Sequence, residues 1–454
     1  MTNVLIVGAG PAGTRAAEVL VAAGLHPVVV DGAARAGGQI YRRPPEGFSA
    51  EAKRRYGSEA GKATDLHQSF DRMVAAQSLT HLASSSITAI GGSEAQVLTP
   101  DGVQQIAYDR LILATGATDR LLPVPGWQQA GVYSLGATQI ALKAQGVALG
   151  HQMVLAGSGP LLTLVACQLI AAGAGVAAVL DTSAMAQQIR GGLTMARARP
   201  VVTFRGLLLR QKLGRRYHAG VSALEICSGP DGPKEIRWRD AKGRPRVTEC
   251  DMVGLGWHIM CDLQLADLAG AEFQWSETWS QWLPVADEMG RISERFYMAG
   301  DGLCPLGADA AEGAGRLAAA ACLEDLGLEH PAVTQDLHRL ARMRRFARGV
   351  AQAFPLPAAL MKDLPQDTIV CRCENVRKSE IMATAKQVGA DINRVKSLSR
   401  AGMGRCQGRY CQRATAELIA MQTGARLPQV GRLRAQPPIR PLPVSAVLKD
   451  KPSA

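Results

Sequence analysis

The chain opens on four consecutive apolar residues, Val4-Leu5-Ile6-Val7. So short and uninterrupted a run, closed by glycines, predicts a strand buried on both faces of a parallel sheet. The alanine-rich stretch from Thr14 to Ala23 predicts the helix that follows, and Pro27 to Val30 a second strand. The alternation returns downstream. Met153 to Ala156 predicts a strand, Gly157-Ser158-Gly159-Pro160 a tight turn into a helix, and Val176 to Leu180 another strand after the turn at Gly173 and Gly175. Arg110 to Leu113 and Phe296 to Ala299 add further strands, and Ala308 to Leu323 a helix. Strands alternating with helices place the chain in the α/β class, with two Rossmann-like units of which the second is inserted in the first.

Between Met153 and Leu180 the sequence carries 28 residues without a charge, enough length for a bilayer-spanning helix. Its glycines break that length into strand, turn, helix and strand, so we expect no transmembrane span. The first seven residues lack the basic start and cleavage site of a secretory signal, so the expected location is the cytoplasm, with peripheral association at the inner membrane compatible with it.

Composition changes this picture little: 47% hydrophobic and 20% charged residues over 454 describe an ordinary globular chain of about three units. The net charge of +12 raises nucleic acid as a partner. The basic residues form no long run with interleaved aromatics, which argues against it.

The first strand runs directly into Gly8-Ala9-Gly10-Pro11-Ala12-Gly13. Gly8 permits the sharp turn, Gly10 lets backbone N–H groups approach a pyrophosphate, and Gly13 lets the helix sit close on the sheet. Pro11 suits the first helical turn, and the helix N-terminus favours negative charge. Asp31 ends the second strand at the distance expected of a carboxylate that accepts from ribose hydroxyls. In the second unit Gly157, Gly159 and Asp181 repeat the pattern, but Leu162 replaces the third glycine and should push the helix away from the sheet. The residues there describe a weaker nucleotide site and leave NAD(P) use open.

Gly37-Gly38-Gln39, Ala114-Thr115-Gly116 and Gly300-Asp301, together with the first fingerprint, make Met1 to Leu326 resemble the flavoprotein family of glutathione and thioredoxin reductases. The resemblance implies FAD in the first unit, with Gly300 and Asp301 beside its ribityl and pyrophosphate. The redox cysteine pair of those reductases is missing here, since no cysteine lies between Gly38 and Gly150 and Cys167 stands alone.

Of ten cysteines, four form two close pairs: Cys371-Arg372-Cys373, and Cys406 with Cys411. In a reducing compartment close pairs suggest a metal rather than disulfides. Four thiolates are what two bridged irons need, and Gly402, Gly404 and Gly408 let backbone N–H groups point at sulfur. A structural zinc ion also takes four cysteines, though usually with two to four residues between the paired ones. Cys371-Arg372-Cys373-Glu374 and Gly402-Met403-Gly404-Arg405-Cys406 resemble the bacterioferritin-associated-ferredoxin-like domain, a small helical [2Fe-2S] module, over about residues 367–424.

The expected organisation is therefore 1–118 with 262–345 for the FAD-binding domain and 119–261 for the second nucleotide-like domain. A linker at 346–366, the [2Fe-2S] domain at 367–424 and a Pro/Arg-rich tail at 425–454 complete it. This order, with Gly37-Gly38-Gln39-Ile40-Tyr41-Arg42-Arg43, resembles the α subunit of heteromeric amino-acid dehydrogenases of the cis-4-hydroxy-D-proline dehydrogenase, opine oxidase and hydrogen cyanide synthase type. The resemblance implies an electron-transfer subunit that receives electrons from a D-amino-acid-oxidase-like flavoprotein β subunit, passing them to an external acceptor. It leaves room for an FMN at a subunit interface and a small ferredoxin-like γ subunit, neither specified by a motif in this chain. The alternative is a self-sufficient NAD(P)H-dependent flavin and iron–sulfur oxidoreductase. No catalytic acid–base constellation is legible.

Overall fold

The computed structural model describes residues 2–45, 47 and 52–448. The chain forms two compact units, the first from Met1–Ala117, Met260–Met343 and Arg434–Ala454, the second from Thr118–Ile259 and Arg344–Leu433.

In the first unit a six-stranded sheet has the order Arg291–Ser293, Phe296–Met298, Arg110–Leu113, Val4–Val7, Val28–Val30, Thr80–Leu82. All neighbours are parallel except the outermost pair at Arg291–Ser293. Val4–Val7 is buried along its whole length because strands flank it on both sides and helices cover it. The helices Pro11–Ala22 and Ala308–Glu324 pack almost backbone to backbone: a Cβ on Gly315 would lie 2.0 Å from the Ala12 carbonyl oxygen. Their alanine-rich faces make that approach possible, and Ala16, Ala17, Ala318 and Ala319 are fully buried. Trp275 and Trp282 face each other across a hairpin, ring centroids 5.9 Å apart and edge-on, so these two tryptophans pack on one another.

The second unit is built on a five-stranded parallel sheet in the order Tyr217–Ala219, Val176–Asp181, Met153–Ser158, Met252–Trp257, Val132–Ser134. The uncharged stretch from Met153 is here two strands and the helix Pro160–Ala171. Among the described residues no helix is long and apolar enough to cross a membrane. Leu162 is on the inner face of that helix, fully buried in one core with Leu155, Val165 and Val179.

The stretch 346–366 carries the end of the helix Thr334–Ala353 and a short helix Ala358–Lys362, rather than only extended chain. Beyond it, the strand Ile369–Cys371 pairs with Val376–Arg377, and the helices Lys378–Val388, Ile392–Ser399 and Gln412–Thr423 follow. These helices share one apolar core with the parallel sheet: Val370, Ile381, Val395 and Leu418 belong to the same cluster as Val154, Leu180 and Trp257. Farther on, the tail returns to the first unit, where Ile439 is buried and its N–H donates to the Thr88 carbonyl (2.9 Å), while the Ala435 N–H donates to Asp267 (2.6 Å).

Candidate functional site

The glycine turn after Val4–Val7 is closed by sterics. Gly8 has φ +106°, and a Cβ there would lie 2.4 Å from the Ala114 carbonyl oxygen, while one on Gly13 would collide with the Gly8 carbonyl. Gly10, the residue that caps the helix from Pro11, differs: a Cβ there meets only the Gly38 Cα, at 3.5 Å. Gly37, at φ +135°, donates its N–H to the Ala9 carbonyl (2.8 Å), which brings Gly38 against Gly10. Two loops thus face one another with no side chain between them, beside the open N-terminus of a helix. Gln39 is exposed and accepts from Arg42 (3.1 Å).

Asp31 spends both carboxylate oxygens on the loop itself, accepting from the Ala9 N–H (2.5 Å) and the Ala33 N–H (2.6 Å). Each oxygen retains a lone pair for a further donor. Ala114, Thr115 and Gly116 follow Arg110–Leu113, and Thr115 donates to the Asp262 carbonyl (3.1 Å). Gly300 (φ +67°) rests on Ala12 and Ala311, and Asp301 accepts from the N–H groups of Leu306 and Gly307 (2.9 and 2.8 Å), which sets the turn into the helix Ala308–Glu324. Burial pushes the Asp301 carboxyl up, and those two donors hold it back. Gly8, Gly10, Pro11, Ala12, Gly13, Gly37, Gly38, Gly300 and Asp301 therefore line one region around two helix N-termini. Its side-chain-free walls fit a dinucleotide pyrophosphate.

The corresponding place in the second unit is built differently. Gly157 (φ +155°) and Gly159 (φ +104°) form the turn, but a Cβ on Gly159 would lie 3.1 Å from Nδ1 of His258, whose ring fills the space beside it. His258, itself in left-handed backbone (φ +64°), is fixed by Nε2 to the Phe354 carbonyl at 2.5 Å. Desolvation, with Arg120 nearby, lowers its pKa to about 4, so the ring is neutral. Asp181, fully buried, accepts from the Ser183 N–H (2.8 Å) and the Tyr217 hydroxyl (2.7 Å). Burial pushes its carboxyl up to about 6 against those donors. The carboxylate that would face a ribose is committed inside the protein. Neither His258 nor Phe354 carried a spacing signal in the sequence.

The four paired cysteines come together across the module. Cys371 ends a strand, Cys373 lies two residues on, and Cys406 and Cys411 flank the turn that leads into Gln412–Thr423. They contact crosswise, one from each sequence pair: Cys371 shares a hydrogen bond with Cys411, and Cys373 with Cys406. Cys371 and Cys411 are buried, Cys373 exposed. The hydrogen bond from Cys411, with the backbone N–H groups of Gly402, Glu374 and Cys373, pulls Cys371 down to about 6, and the shared proton keeps Cys411 well above the ordinary thiol range. Cys250 and Cys322, elsewhere, are pushed up to about 12 by burial and are unreactive thiols. Two thiol pairs ringed by backbone donors fit a two-iron cluster, which takes two thiolates on each iron.

The loops around these thiols interlock. A Cβ on Gly404 would lie 2.2 Å from the Cys373 Cβ, and Cβ atoms on Gly402 and Gly408 would strike Leu433. From the neighbouring sheet domain Trp127 reaches in, its Nε1–H donating to the Ile369 carbonyl (2.6 Å) and its ring lying 5.1 Å under the Arg372 guanidinium.

Residues 2–198 match the family described as pyridine nucleotide-disulphide oxidoreductase, and residues 369–421 the BFD-like [2Fe-2S] binding domain. The opine oxidase A-subunit of Rhizobium meliloti is 35% identical, over 97% of this chain and 86% of that one. Hydrogen cyanide synthase subunit HcnB of Pseudomonas protegens is 30% identical, over 98% and 97%. The solved structure of L-proline dehydrogenase from P. horikoshii superposes with a TM-score of 0.72 at 19% identity, covering 98% of this chain and 79% of its own, and so shares the fold. The chain thus carries FAD and a [2Fe-2S] cluster. It belongs to the family of the opine oxidase A-subunit and hydrogen cyanide synthase subunit HcnB, as an oxidoreductase subunit with these two redox groups.

Proposed function

We propose that this chain is the electron-transfer α subunit of a hetero-oligomeric amino-acid dehydrogenase acting on D-hydroxyproline or an opine. Electrons taken from the substrate by a D-amino-acid-oxidase-like flavoprotein subunit pass through its cluster and FAD to an external acceptor. The observation that carries this reading is His258. Its ring, tied to Phe354, occupies the glycine turn at which a nicotinamide nucleotide would set its phosphates, and Asp181 is committed to Ser183 and Tyr217. This arrangement argues against hydride delivery from a nicotinamide nucleotide in the second unit and supports a companion protein as the source of electrons. In this reading Gly8, Gly10, Pro11, Ala12, Gly13, Asp31, Gly37, Gly38, Gln39, Ala114, Thr115, Gly116, Gly300 and Asp301 hold FAD, and Cys371, Cys373, Cys406 and Cys411 hold the cluster. FAD supplies two-electron oxidation and reduction, and the cluster single-electron transfer.

The test mixes purified chain, loaded with both groups, first with NADH and then with D-hydroxyproline, octopine or nopaline and an artificial acceptor. We expect neither flavin bleaching nor turnover until the companion flavoprotein subunit is added. Rapid bleaching by NADH would instead establish the self-sufficient NAD(P)H oxidoreductase, and turnover by the isolated chain would place substrate oxidation here.

A further inference from the structure

The consecutive helices Met185–Ala198 and Pro200–Leu213 of the second unit turn their apolar side chains outward. On the first, the buried residues are Gln188 and Gly191, while Ile189 and Leu193, one turn apart, are 61% and 57% exposed. On the second, Leu213 is buried, while Val201 and Phe204 are 65% and 60% exposed and Leu207 and Leu208 join them. This orientation is locked. A Cβ on Gly191 would lie 2.3 Å from the Ala353 backbone nitrogen, so only glycine lets the helix settle there. Gln188 donates to the Ser183 carbonyl (2.9 Å) and accepts from Arg210 (2.8 Å) and Tyr217 (3.2 Å). Rotating the helix to hide Ile189 would break all of these bonds.

The charge carried by these two helices and the turns that flank them has one sign. From Thr182 to Leu224 the sequence holds seven arginines and one lysine and no aspartate or glutamate. An apolar centre with arginines about it is the anatomy of a protein interface, where arginine and aromatic side chains concentrate binding energy. Basic helices that carry no carboxylate of their own complement a surface that does.

We propose that this face docks the companion flavoprotein subunit, through a surface on that subunit in which carboxylates surround an apolar patch. The proposal rests on the α-subunit reading and names where its partner sits. Arg205 and Arg215, both exposed, steer the encounter, and Ile189, Leu193, Val201 and Phe204 fill the centre.

The experiment co-expresses the chain with its companion flavoprotein subunit; the affinity of the purified pair is then measured, with flavin and iron content as checks on folding. Ile189→Asp combined with Phe204→Asp should weaken the pair at least tenfold with both cofactors retained. Arg205→Glu with Arg215→Glu should slow association and flatten its salt dependence. A wild-type pair that the double aspartate variant leaves equally tight overturns the docking face while the α-subunit reading stands. A wild-type chain that binds no companion and oxidises substrate alone removes the reading itself. Two further results also overturn the assignment: a dimer of the isolated chain that the double variant disperses, or binding to phosphatidylglycerol vesicles that the same variant abolishes.

Discussion

At the scale of single residues, the glycines of the first fingerprint separate into two kinds that spacing alone treats alike. Gly8 is required by the fold, because its positive φ and the Ala114 carbonyl leave no place for a Cβ. Gly8→Ala should destabilise the protein by about 1–3 kcal/mol or more, read as a lower melting temperature with or without FAD. Gly10 has room on the protein side, so Gly10→Val should fold and melt near the flavin-free wild type while retaining little flavin by absorbance. His258 offers a different check. Its pKa lies at about 4 in the folded chain against an ordinary 6.5, so the unfolded state binds the proton first as pH falls. Its contribution is complete above about 6.5 and is lost as pH drops towards 4, at most about 3 kcal/mol. Asp181 has the opposite sign: with its carboxyl raised to about 6, its contribution is present below about 4 and lost as pH rises through 6. We expect His258→Asn, which tolerates left-handed backbone, to remove the loss on the acid side, so that its melting temperature gains on the wild type as pH falls from 6.5 to 4.5. An unchanged slope would show that the ring does not titrate as described. The cysteines and glycines were legible because their chemistry shows in local spacing. His258 and Trp127 were not, since each acts through a carbonyl far along the chain, at Phe354 and Ile369.

At the scale of elements, the cluster module is a set of short loops locked by glycines and by one side chain from the adjoining sheet domain. Gly404→Ala would press a Cβ into Cys373, and we expect that variant to lose iron and sulfide even though all four thiols remain. Trp127→Phe keeps the ring but removes the donor to Ile369. Leaving that carbonyl unpaired costs about 1–3 kcal/mol, and the strand that ends in Cys371 should loosen, seen as faster loss of cluster absorbance on warming and a shifted cluster reduction potential. The strands at Val4–Val7, Val28–Val30, Arg110–Leu113, Phe296–Met298, Met153–Ser158 and Val176–Asp181, the helices after the two glycine turns, and the paired cysteines followed from hydrophobic period and turn chemistry, whereas Thr80–Leu82, Val132–Ser134, Tyr217–Ala219 and Met252–Trp257 did not. The inverted helices Met185–Ala198 and Pro200–Leu213 did not, because a stripe of apolar residues at helical spacing reads as core whichever way it faces.

At the scale of the whole molecule, the residues proposed for FAD fall in the first unit and the four cysteines in the second. Cys411→Ser should therefore abolish the iron signal while flavin per chain stays at the wild-type value, and joint loss of both would contradict that division. The helix packing of the first unit also bears on how the protein is made. The sheet that begins with Val4–Val7 is completed by Phe296–Met298, and the turn beginning at Gly8 meets Gly300 only through Ala12 and the helix that starts at Ala308. The first strand has both its neighbours once Arg110–Leu113 is made, but the chain through Glu324 must leave the ribosome before the sheet gains Phe296–Met298 and the helix Pro11–Ala22 gains its partner Ala308–Glu324. Ile439, buried against the same unit, is synthesised later still. Capture of FAD then waits for the helix Ala308–Glu324, and a message truncated anywhere before Gly300 yields a chain whose cradle lacks Gly300, Asp301 and the second helix N-terminus.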